Sequence, residues 1–109
     1  MAPQTTETPV LDLLANMTAD SVEASTLDPE TLMLVRIAAL VAVDAQPVSY
    51  LLNLAAARDV GLEPDQVRGV LAGIAPIVGT ARVTSAMAKI VDALEIAIEV
   101  ADENAQGGT

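Results

Sequence analysis

Along this chain, apolar stretches at helical spacing alternate with short polar breaks, and most breaks carry a helix-start signal. After a polar opening, Thr8 precedes Pro9, a capping residue followed by the proline favoured at the first helical position. Val10, Leu11, Leu14 and Met17 then share a face, which predicts a short first helix ending near Asn16 or Met17, with Thr18 to Ser25 able to add one more turn. Asp28, Pro29 and Glu30 form a stronger start. From Leu32 to Val43 the chain is then almost wholly apolar, interrupted only by Arg36. A helix apolar on all sides belongs at the centre of a fold. The run Ile37 to Val43 would also suit a buried strand, but its alanines and capped lead-in favour helix.

Pro47 biases Gln46 away from helical geometry and then starts a third helix, which should run to about Val60. Leu51, Leu54, Ala55 and Arg58 share a face of it, and Gly61 supplies a left-handed C-terminal residue. Glu63-Pro64-Asp65-Gln66 resembles a capping box. Val67, Val70, Leu71, Ile74, Ile77 and Val78 follow, with Pro76 expected to kink or break the helix. Gly79 ends that pattern and Thr80 restarts it. The last helix carries Val83, Met87, Ile90, Val91, Leu94, Ala97 and Ile98 and should run to about Asp102. The expected organisation is a flexible arm over 1–8, one helical domain over 9–103 and a disordered Gly-rich tail over 104–109. Five or six helices with short connections make an all-α bundle.

Composition sharpens this picture. The chain has 109 residues and is 52% hydrophobic but only 1% aromatic. So short a chain cannot enclose that much apolar surface alone, which predicts a homo-oligomer. A formal net charge of −10, with five cations in all, argues against nucleic acid and against an anionic membrane surface. No apolar run approaches membrane-spanning length, and the opening residues lack the basic region of a signal peptide, so the cytoplasm is the expected location. Cysteine, histidine, tryptophan and phenylalanine are all absent, and Tyr50 is the one tyrosine. The chain's own residues therefore provide no thiolate, no imidazole and no nitrogen or sulfur metal site. No cofactor or metal is expected.

A few residues could still carry chemistry. Arg36, alone in an apolar helix, could clamp a carboxylate; its plainer role is to pair with Asp44, Glu30 or a neighbouring subunit, or to reach water along its own stem. Gln46, Ser49, Tyr50 and Asn53 cluster at the start of the third helix, as a pocket of hydrogen-bonding groups or as residues that satisfy a helix start, with the Tyr50 hydroxyl at the surface. Ser49 has no histidine base, and Lys89 is the only lysine. Glu95, Glu99, Asp102 and Glu103 form an acidic strip that reads as a solvated face. Arg58 and Arg82 read as surface or interface ion-pair residues.

Three pieces in order, LDPETLMLVRIAALVAV, an Ala-rich helix, and RDVGLEPDQVRGVLAGIAPIVGTARV, resemble the carboxymuconolactone decarboxylase-like family, which includes the alkylhydroperoxidase D-like disulfide reductases. The step Gly61-Leu62-Glu63-Pro64-Asp65-Gln66-Val67 is the most diagnostic, and the likeness covers about Leu27 to Leu94. The resemblance implies an alkylhydroperoxidase D-like helical bundle that assembles into trimers, hexamers or larger rings, with the helix before the Gly-x-x-Pro step lining the site. The two thiols and the imidazole of the redox branch would stand at Gln46, Ser49 and Asn53, and its glutamate at Met33 or Leu34, so none of these groups is kept. Without a thiolate, disulfide exchange by the family's route is excluded. The leading expectation is a non-redox homo-oligomer, structural or binding a small molecule. The alternative is a lyase or decarboxylase acting on a small lactone or keto acid. Arg36 would hold the carboxylate and Tyr50 with Asn53 would polarise the carbonyl.

Overall fold

The computed structural model describes residues 8–107, with side chains as far as Leu94. It holds five helices, α1 (Pro9–Ala24), α2 (Pro29–Ala42), α3 (Pro47–Asp59), α4 (Pro64–Val78) and α5 (Thr80–Gly107), and no strand among the described residues. Each of the first four helices has proline in its first turn, where the missing N–H costs nothing. At α2, Asp28 Oδ1 accepts the Thr31 backbone N–H and Oδ2 accepts the Thr31 hydroxyl, both at 2.9 Å. These bonds hold the Asp28 carboxyl below its ordinary pKa. At α4, Gln66 Oε1 accepts the Glu63 N–H at 2.8 Å.

Two boundaries differ from the sequence expectation, the ends of α1 and α5. α1 continues through Ala24, where the Ser25 N–H closes on the Ser21 carbonyl at 3.0 Å. Pro76 does not break α4. Pro76 lacks the N–H that would bond the Ala72 carbonyl, a single lost bond near the helix end, and α4 ends at Gly79, φ +90°, as expected. α5 extends through Gly107, five residues beyond Asp102. Residues 1–7 of the expected arm and residues 108–109 of the expected tail lie outside the described residues.

α2 is central and packs on α3, α4 and α5, while α3 packs along α5. Its i, i+4 row Met33, Ile37 and Val41 runs through two core clusters. The first joins Met33 and Ile37 to Ala57 and Leu62. The second joins Val41 to Tyr50, Ala86 and Ala93, the two alanines giving α5 its close approach. α2 is not buried on all sides, however: Val35 is exposed on its other face, and Val43 just past its end is exposed too. No helix among the described residues is long and apolar enough to cross a membrane.

The α2–α3 turn is fastened to α5. Asp44 sits at φ +54°, a left-handed conformation that aspartate tolerates better than most residues. Its Oδ1 accepts the Ser85 hydroxyl at 2.7 Å and the Lys89 ammonium at 3.0 Å. Arg82 Nη1 donates to the Ala42 carbonyl at 2.7 Å. Ser85 first, then Lys89, keeps the Asp44 carboxyl below its usual pKa.

Candidate functional site

α3 is the helix on which the sequence cluster falls, and it presents that cluster in three directions. Asn53, half-buried, lines an open groove of about 550 Å³ with Arg36 of α2, Met17, Thr18 and Ser21 of α1, and Leu52 and Ala56 of α3. The Asn53 amide is already engaged, donating from Nδ2 to the Ser49 carbonyl at 2.8 Å. Gln46 is exposed, and its carbonyl accepts the Ser49 N–H at 3.0 Å. Tyr50 points the other way, into the core, fully buried and outside this groove.

Two expectations are corrected. Arg36 does not pair with Asp44, whose carboxylate is taken by Lys89 and Ser85, nor with Glu30. Arg36 Nη2 instead donates to the Ser21 hydroxyl at 3.1 Å and to the Thr18 carbonyl at 3.4 Å, tying α1 to α2. The Tyr50 hydroxyl is not at the surface: it is buried with no hydrogen-bond partner among the described residues. Burial, and secondarily the Asp44 charge, pushes its pKa above the ordinary 10.0.

Such an unpaired hydroxyl costs roughly 1–3 kcal/mol, whereas phenylalanine keeps the shape without the penalty. Tyr50→Phe is therefore expected to raise the free energy of unfolding by about 1 kcal/mol at neutral pH. The raised pKa also sets a pH dependence. Above pH 10.0 the unfolded phenol has lost its proton while the folded one keeps it, so stability falls with rising pH until the folded value is passed. Urea unfolding from pH 8 to 12 should show this alkaline loss in the wild type and less of it in Tyr50→Phe. Equal slopes in the two proteins would contradict the burial of this hydroxyl.

The structure also reveals what the sequence reading missed. A larger groove of about 670 Å³ opens between α3, α4 and α5, walled by Leu54, Leu62, Leu71, Ile90, Val91 and Leu94 and edged by Arg58 and Arg68. The Asp44 fastening was missed as well, although Arg82, Ser85 and Lys89 fall at i, i+3 and i+7 on one face of α5. No group of three or more acidic residues able to hold a metal occurs among the described residues. The side chains of the Glu95, Glu99, Asp102 and Glu103 strip lie outside them.

A central apolar helix packed against three others, with the Gly-x-x-Pro step following α3, defines an all-α domain. The model of the carboxymuconolactone decarboxylase family matches residues 8–97, and the chain belongs to that family. Comparison with curated proteins and with solved structures returned no match.

Proposed function

We propose that this chain is a non-redox homo-oligomer of its family, an assembling scaffold rather than a catalyst. The observation that carries this reading is α1. Val10, Leu11, Leu13, Leu14, Met17 and Val22 are 45% to 66% exposed, and α1 has no buried residue. An apolar helix held to its own chain by little more than Arg36 is stable only with a further surface to cover it.

The site position supports the same reading. Gln46, Ser49 and Asn53 offer no proton-transfer group that works near neutral pH, and the Asn53 amide and Arg36 guanidinium are engaged within the chain. The reading places the oligomer in the cytoplasm, acting without nucleic acid, membrane or cofactor. Size-exclusion chromatography with light scattering at micromolar concentration should give a mass that is a multiple of 11.2 kDa; a monomer would overturn the proposal.

A second reading, an enzyme for a small lactone or keto acid, is favoured by one fact: Arg36 and Asn53 line the same groove. Arg36→Ala separates the two. As a ligand clamp it can be removed with assembly intact; as the tie that orients α1 it cannot, and the oligomer weakens.

A further inference from the structure

Among the described residues, two surfaces lack a partner, and they are complementary. The first is the N-terminal half of α1. Val10, Leu13, Leu14 and Met17 recur at i, i+3, i+4 and i+7, the anchor spacing of a helix laid into a groove, and all four are exposed. The second is the groove between α3, α4 and α5. Its α5 wall presents Met87, Val91 and Leu94, also at i, i+4 and i+7 and each more than half exposed.

The chain's own α1 does not reach this groove. Arg36 holds Thr18 and Ser21 of α1 beside the flank of α3 that carries Leu52, Asn53 and Ala56. The groove opens on the flank that carries Leu54, Ala57 and Arg58, which helical periodicity places on the other side of α3. Charge complements shape. α1 carries Asp12, Asp20 and Glu23 and no base, while Arg58 and Arg68, two of only five cations, edge the groove. Arg68 pairs with Asp65, but the Arg58 side chain makes no hydrogen bond or ion pair among the described residues.

We propose that the first turns of α1, Val10 to Met17, dock into the α3–α4–α5 groove of a second copy of this chain. This rests on the homo-oligomer reading and adds its geometry. The contact joins two different surfaces, so it is satisfied either by reciprocal exchange of α1 across a two-fold axis or by head-to-tail repetition that closes a ring.

The absence of native cysteine makes the test clean. Leu14→Cys and Val91→Cys are placed in separate, differently tagged chains, co-expressed and oxidised; Val10→Cys with Leu94→Cys serves as a second pair. A disulfide is expected between the two chains, while either variant alone gives none. Arg58→Glu, with its helicity checked by circular dichroism, should weaken association at least about tenfold at low salt, and the deficit should shrink at high salt. A Leu14→Cys chain that cross-links to itself would mean α1 pairs with α1, and overturns the inference. So does an oligomer, established by light scattering, that forms neither designed cross-link, whether its groove is empty or holds a co-purified small molecule. A monomer in light scattering overturns the homo-oligomer reading along with it.

Discussion

Replacing Ile37 by alanine is expected to lower the free energy of unfolding by about 2–5 kcal/mol, toward the upper end of that range. Ile37 is fully buried in the cluster with Met33, Ala57 and Leu62. It lies on α2, the helix that packs against three others, so a void there has no single neighbour free to move in and fill it. The cost is the lost transfer of the removed carbons plus the residual cavity. Val35→Ala is the control: Val35 is on the same helix but 50% exposed, and its effect should stay within about 0.5 kcal/mol of propensity and surface terms. Urea unfolding at one fixed protein concentration measures both, since association would otherwise shift the midpoint. Equal effects at the two positions would mean that the Met33, Ile37 and Val41 row is not the core.

Leu14→Asp is expected to weaken self-association at least about 100-fold, some 2.7 kcal/mol, while leaving the isolated chain folded. Burying a leucine is worth roughly 1.5–3 kcal/mol, and an unpaired carboxylate in its place adds a desolvation cost. What makes the prediction specific is that Leu14 contributes nothing to the core: α1 contains no buried residue. Light scattering should show a smaller species, whereas urea unfolding of the dilute, dissociated chain should match the wild type under the same conditions. An unchanged mass at micromolar concentration would remove α1 from the interface. A dissociated chain that is also unfolded would mean that α1 supports the fold as well as the assembly.

Much of the architecture is legible in the sequence because helix starts are local events. Asp28 before Pro29, Glu63 with Gln66, and Gly61 at φ +90° act through groups within a few residues of one another. The family likeness rests on the same local order, and the match over residues 8–97 agrees with it. The site was legible in part. Arg36 and Asn53 do come to one groove, while Tyr50, one position on from Ser49 and so turned by a quarter of a helical circle or more, goes into the core. Pro76, expected to kink or break α4, leaves the helix unbroken because it removes only its own bond to the carbonyl four residues back, and the remaining bonds carry α4 to its end at Gly79.

The sequence by itself settles the chemistry that is absent. With no cysteine and no histidine, there is no thiolate and no imidazole whatever the fold, because those groups belong to residue types. It also settles the order of the helices and narrows their number to five or six, because capping and periodicity are short-range. Only the tertiary structure decides what each polar group is for. Arg36, Arg82 and Lys89 are equivalent as letters, yet Arg36 holds α1 while Arg82 and Lys89 hold the α2–α3 turn at Ala42 and Asp44. Only the fold shows that the apolar stripe of α1 is left uncovered and that a groove stands open on the far side of α3. The reason is that hydrogen bonds and burial are fixed by distances across the chain, as between Asp44 and Lys89, and sequence spacing does not encode those distances.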